Sequence, residues 1–307
     1  MKRIIKLFSP LLLSIASVFV ATFCFSGCSV PTFLKVEEKM LTYTESADAN
    51  IHTIKIDYDV ANVNVVLGGN ELTIDYPKRV KEFGEDLSEI AISEKNGVLS
   101  LKEYVKRVIY LNSVDCNLTI TLPTDRVFTL DIKTDSGDII LPDGGNYTSV
   151  SLKADDGDIQ IGDSFCSSNL SAETDTGNIT ISNFTGANLS ATVDDGNISL
   201  RGCAVLETVD LKTDSGNIAT SGLIQTNAFL AVTDDGNVLT DGVLDAQLLE
   251  IETDTGDVYL NLIGRLNDYR ITVKMDAGES NVGNTQDGQR RLIATTDDGD
   301  IEIQFVE

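Results

Sequence analysis

A five-residue phrase, Asp-X-Gly-(Asp/Asn)-(Ile/Val), recurs through the C-terminal half of this chain at a nearly fixed step. Its glycines are Gly137, Gly157, Gly177, Gly196, Gly216, Gly236 and Gly256, separated by 20, 20, 19, 20, 20 and 20 residues. A weaker copy follows at Gly278 and a full one at Gly299. A period near twenty is the mark of a stacked architecture, in which each unit buries its apolar face only against its neighbours.

Counted from each glycine, positions −7 and −5 are apolar, as in Leu130 and Ile132, Val150 and Leu152, or Leu249 and Ile251. Positions +2 and +4 are mostly apolar too, as in Ile139 and Leu141, Ile159 and Ile161, or Val258 and Leu260. Apolar and polar residues alternate, as in half-buried strands. Each unit therefore reads as strand, tight turn, strand and a looser return near +6 to +8. Two such faces cannot bury themselves alone. The expected fold is all-β: a parallel β-solenoid, like a single-stranded β-helix, with about 20 residues per coil. Period alone leaves its hand open. Nine glycine-marked coils at roughly 4.8 Å each predict a rod about 40 Å long.

Glycine at a fixed turn position points to a positive φ, and flanking Asp and Asn are expected to bond their own turn backbone. Position −2 holds Asp135, Asp155, Asp175, Asp194, Asp214, Asp234 and Asp254, then Asp276 and Asp297. Stacked in register, neighbouring carboxylates would repel by roughly 1 kcal/mol in water. Position −1 alternates between acid and neutral residues, which spaces a second set of charges. The plain reading is turn chemistry. The functional alternative is a cation ridge that binds calcium weakly through carboxylate oxygens. No other cofactor is expected.

Before the repeats, period-two strands are expected at His52–Tyr58, Val63–Leu67, Leu72–Tyr76 (ending at Pro77) and Leu118–Leu122. Residues 90–101 read as a hairpin around Asn96-Gly97, and 78–88 as a loop or short helix. The division is a signal segment at 1–27, a tether at 28–48, an irregular β-rich segment at 49–126 and solenoid repeats at 127–307.

Lys2, Arg3 and Lys6 precede an apolar run from Leu7 to Phe25, followed by Phe25-Ser26-Gly27-Cys28. This resembles a bacterial lipobox, in which Cys28 receives the lipid and becomes the first mature residue. The alternative is an uncleaved membrane-spanning helix. Either way the bulk of the chain is expected outside the cytoplasmic membrane, anchored to the cell envelope. The net charge of −25 disfavours nucleic acid as a partner and attracts cations and basic surfaces. Trp is absent and His52 is the only histidine, so general-base, metal and sugar-stacking chemistry all lack material. Cys116 and Cys203 read as small buried hydrophobes; the spacing of Cys116, Cys166 and Cys203 favours no disulfide pair.

The run Asn117-Leu118-Thr119-Ile120-Thr121-Leu122-Pro123, leading into Leu130-Asp131-Ile132-Lys133-Thr134-Asp135-Ser136-Gly137-Asp138-Ile139, resembles a bacterial adhesin-like family, domain of unknown function 4097. The resemblance covers roughly residues 50–307. It implies an exported or membrane-associated β-solenoid after an irregular β-rich segment, and brings no catalytic residues. Here Asp-Asp-Gly replaces Ser-Gly in alternate coils. The expected function is a lipid-anchored surface binding or structural module without catalysis, its envelope or extracellular partner unidentified. The rival within this class is a regulatory partner of an envelope-stress membrane protein. The rival from another class is a polysaccharide-active β-helix enzyme, with Arg201, Lys212, Arg265, Arg270, Lys274, Tyr147, Tyr259 and Tyr269 as its candidates.

Overall fold

The computed structural model describes residues 36–46, 50–81, 84–106 and 116–307. The lipobox and Cys28 lie outside the described residues. The repeats form a parallel β-solenoid whose coils hydrogen-bond along the whole stack. One interior ladder runs Leu130, Val150, Leu170, Leu189, Val209, Phe229, Leu249 and Leu292. Another runs Ile139, Ile159, Ile179, Ile198, Ile218, Val238, Val258 and Ile301. All of these side chains are buried. Each contributes about 1.5–3 kcal/mol relative to exposure, and only because a neighbouring coil covers it.

The looser return is more regular than the apolar pattern predicts. Gly145, Ser164 and Phe184 pair in parallel register, and so do Leu223–Gln225 and Val243–Asp245. A third short face therefore closes the coil. Its inward residues include Tyr147, Cys166, Val205, Ile224 and Leu244, all buried.

At the N-terminal end the strands are β1 (Val36–Thr44), β2 (Thr53–Val60), β3 (Asn62–Leu67), β4 (Thr73–Lys81), β5 (Ser88–Lys95), β6 (Val98–Val105), β7 (Asn117–Leu122), β8 (Phe128–Ser136) and β9 (Ile139–Leu141). β2 and β3 stack in parallel on β8 and β9, with Ile54 beside Leu130 and Val63 beside Ile139. β6 and β7 stack on the outside of β2 and β3. Two layers therefore continue the stack beyond Gly137 without the glycine phrase. At the first of them Ala61 takes the glycine's place. β1, β4 and β5 add antiparallel strands at this end, β1 on β4, β4 on β7 and β5 on β6.

Two local expectations change. β4 does not stop at Pro77 but runs to Lys81. It pairs with β7 only over Thr73–Asp75, so at Pro77 no N–H is needed on that side. Residues 78–81 are accordingly strand, neither loop nor helix. At the other end, the layers do not follow sequence order. Arg290–Asp298 and Ile301–Val306 stack directly on Leu248–Thr255 and Val258–Ile263. Tyr269–Ala277, which leads to the weak copy at Gly278, is the outermost strand. Its open edge is covered by the following loop. Ile271 N–H donates to Thr285 Oγ1 (2.9 Å), Val273 N–H to Asn284 Oδ1 (2.7 Å), and Thr285 N–H to the Ile271 carbonyl (3.0 Å). Among the described residues no helix is long and apolar enough to cross a membrane.

Candidate functional site: the turn ridge

The Asp-X-Gly turns stack into one edge of the rod, held by three ladders. In the first, the glycine N–H of one coil donates to the −1 carbonyl of the next, as in Gly196 to Ser215 (2.9 Å) and Gly216 to Asp235 (2.9 Å). The coils approach so closely that a Cβ on Gly216 would lie 2.0 Å from the Gly196 carbonyl oxygen. Gly236 and Gly299 meet the same crowding without the positive φ found at Gly216 (+152°). Close approach is therefore the common reason for glycine here, and backbone conformation adds to it at most coils.

In the second ladder, buried threonines at −3 donate backwards to glycine carbonyls. Thr174 bonds Gly157, Thr213 bonds Gly196, Thr233 bonds Gly216 and Thr253 bonds Gly236, each at 2.9 Å.

The third ladder belongs to position +1. The N–H of Asp158 donates to Asp138 Oδ1 (2.9 Å), Asn178 to Asp158 (2.7 Å), Asn197 to Asn178 (3.1 Å), Asn217 to Asn197 (2.9 Å), Asn237 to Asn217 (2.8 Å) and Asp257 to Asn237 (2.7 Å). It extends through Asn62 at one end and through Asp300 to Glu279 at the other. These side chains bond the backbone of the next coil, which corrects the expectation that they bond their own turn. The signal was present: +1 is Asp or Asn in every copy except Gly278, where Glu279 ends the ladder.

The −2 aspartates point outward, half or fully exposed. They share the edge with lysines two residues earlier. Lys133 lies 3.1 Å from Asp135 and 3.8 Å from Asp155, Lys153 lies 3.8 Å from Asp175, and Lys212 lies 3.1 Å from Asp214. Hydrogen bonds to Asp135, Glu173 and Asp214 respectively raise the pKa values of Lys133, Lys153 and Lys212 above the usual lysine value. Asp194, Asp234 and Asp254 complete the row. The row is a line, not a cage: among the described residues no group of three or more Asp, Glu, His or Cys side chains converges as a metal site would.

Elsewhere the candidate catalytic groups are dispersed or engaged. Arg265 is bound by Glu307 (2.6 and 3.1 Å), and Arg270 Nε donates to the Gln286 carbonyl (3.1 Å). Lys212 belongs to the ridge, while Arg201 and Lys274 are exposed on the rod. Tyr147 and Tyr269 are core residues, and Tyr259 Oη donates to Asp257 (3.3 Å). Two surface grooves stand at the C-terminal end. One, about 350 Å³, is apolar beside Leu223, Val243 and Val306. The other, about 580 Å³, is polar beside Asn267, Gln289 and Arg290. Neither holds a paired acid and base. Cys116, Cys166 and Cys203 are free, buried thiols.

Sequence reasoning missed a buried ion pair under the N-terminal cap. Arg79 donates to both Glu103 oxygens (3.0 and 2.6 Å) and to Asp59 (2.8 Å), and the Glu103 side chain has no exposed surface. These residues come from β4, β6 and β2, which no local pattern links.

The family model described as Toastrack DUF4097 matches residues 33–304. Among curated proteins none matches the chain. A solved chain from Parabacteroides merdae, described as a putative adhesin, is 11% identical with a TM-score of 0.50, covering 89% of this chain and 97% of that one. One from Bacteroides fragilis, described in the same words, is 15% identical with a TM-score of 0.43, covering 87% and 97%. One from Parabacteroides distasonis, described as a putative lipid binding protein, is 14% identical with a TM-score of 0.42, covering 89% and 97%. At 11% identity the likeness to the Parabacteroides merdae chain is one of fold alone.

Proposed function

We propose that this chain, which belongs to the Toastrack DUF4097 family, is a non-catalytic binding or structural module, held outside the cytoplasmic membrane by a lipid on Cys28. The observation that carries the reading is the turn ridge itself. Its recurring polar groups are spent on joining one coil to the next, and the groups left outside form a regular rod surface on which, among the described residues, no cluster of three or more acidic, His or Cys side chains converges. Adhesin names among the solved relatives agree with a surface role. The ordered sequence of basic residues, apolar run and Cys28 supports the anchor.

Acyl labelling of the full chain in a bacterial host tests this, together with protease accessibility on intact cells. The wild type is expected to carry the label, lose residues 1–27 and be cleaved from outside, and Cys28→Ala to carry none. A wild type without label that keeps residues 1–27 overturns the anchor. Release of unsaturated sugar from a polyuronate, abolished by Arg265→Ala or Lys274→Ala, overturns the non-catalytic reading.

A further inference from the structure

The two ends of the rod are finished differently. At the C-terminal end a loop covers the outermost strand. At the other end β5 pairs with β6 along Ser88–Lys95, and no strand among the described residues pairs with its other edge. The hairpin turns through Asn96 (φ 53°) and Gly97 (φ 74°), the two positive values of a tight primed turn, so Lys95 and Val98 form the closing hydrogen-bonded pair. Counting back, Ser93, Ala91 and Glu89 bond β6. The Lys106 N–H to Leu87 carbonyl bond (3.0 Å) keeps the same parity. Glu94, Ile92 and Ile90 therefore turn their N–H and C=O groups to the open edge.

On the core face of this edge Glu94 accepts from Tyr43 Oη (2.7 Å) and Ile90 packs against the core, which leaves Ile92 between them uncovered. Ile92 stands opposite Leu101, whose side chain is fully buried, and so lies on the core face. Yet Ile92 is 37% exposed, because the stack stops there.

We propose that a second copy of this chain completes this end by pairing β5 with β5 in antiparallel register about a two-fold axis through Ile92. The strand is self-complementary in that register. Ile92 meets Ile92 as a mutually hydrogen-bonded pair, and Ile90 meets Glu94. On the outer face small Ala91 meets Ser93, and Glu89 meets Lys95 twice, once on each side of the axis. Parallel self-pairing in register would instead place Glu89 beside Glu89. The long-range field agrees. Between residues 134 and 264 only Lys153, Arg201 and Lys212 are basic, so the rod's middle carries most of its negative charge. Joining at the N-terminal ends keeps those middles apart. The product is a rod of twice the length with one continuous sheet face.

Sedimentation equilibrium of the full chain in detergent tests the pairing. The wild type is expected to dimerise. Glu89→Lys and Lys95→Glu should each weaken the dimer about tenfold or more, or about 1.4 kcal/mol. The double variant should restore it. Both positions are exposed, and unchanged melting of each variant separates lost pairing from lost folding. Ile92→Cys should give an intermolecular disulfide under mild oxidation, since residues paired this way have Cα atoms about 5.5 Å apart. Ala219→Cys on the rod's side should not. A monomeric wild type, a double variant no better than the singles, or equal cross-linking at both cysteines overturns the proposal.

Discussion

The backbone N–H of Asn217 donates to the Oδ1 of Asn197, one coil away, at 2.9 Å. The Asn217 Nδ2 reaches the same oxygen at 3.4 Å, and its own Oδ1 accepts from Asn237 N–H at 2.8 Å. The side chain thus acts as a rung, which makes the turn edge cohesive despite its charge.

Removing the rung leaves one turn N–H without its acceptor. Asn197→Ala is expected to destabilise by about 1–2 kcal/mol. Asn197→Asp keeps the Oδ1 and should cost less, as Asp158 and Asp257 already fill the same position. Chemical denaturation of both variants checks the order. Equal losses would mean that the amide itself, not its oxygen, holds the coil.

Gly216→Ala should destabilise by at least about 2 kcal/mol, because its Cβ would sit 2.0 Å from a backbone oxygen that cannot rotate away. Gly283→Ala, where a Cβ meets nothing within 4 Å, is the matched control and should be near neutral. Thermal melts of the pair separate close approach from the general entropy of glycine.

The contrast between these glycines shows what the sequence made legible. The solenoid, its period and its inward residues follow from local alternation, so Leu130 through Leu249 were readable one coil at a time. The layer order was not. β2 lies 76 residues before β8 yet stacks on it, with Lys55 Nζ 2.7 Å from Asp131. The run Asp59-Val60-Ala61-Asn62-Val63 repeats the phrase with alanine at the glycine position, a copy that counting from glycine to glycine passes over. At the ridge, the glycines and outward aspartates were visible as types. The partner of each +1 side chain was not, since Asn and Asp also serve in isolated turns.

The Arg79–Glu103 pair should matter more than any surface pair. Glu103→Ala would leave a guanidinium that is 6% exposed with only the partly exposed Asp59, at a cost of about 3–5 kcal/mol. Replacing both residues with Leu should cost less than the sum of the single changes, because no buried charge is then stranded. Urea denaturation of the two singles and the double gives the comparison, and strict additivity would count against direct coupling.

The three described thiols should be inert in the folded chain. Burial, then the neighbouring Glu38 carboxyl, pushes the Cys116 thiol up to about 12, and burial also raises Cys166 and Cys203. A raised thiol pKa suppresses the thiolate, the reactive form, at every pH below it. Alkylation at pH 8 should therefore be slow for all three until denaturant is added. Rapid native labelling of Cys166 would show that the third face of the coil opens.

The aspartate row makes the sharpest test of the ridge. Carboxylates spaced by roughly 4.8 Å along a line attract cations as a diffuse layer, whereas calcium selectivity needs six to eight oxygens around one point. Asp135, Asp155, Asp175 and Asp214 already have lysine neighbours, and Asp194, Asp234 and Asp254 converge on no common centre among the described residues. Calcium and magnesium at equal concentration and matched ionic strength should therefore raise the melting midpoint equally, both above sodium only by the extra screening of a divalent ion. A calcium midpoint several degrees above that of magnesium would establish selective sites on the ridge. Asp234→Asn and Asp254→Asn would then locate them, by removing the calcium increment while leaving the magnesium melt unchanged.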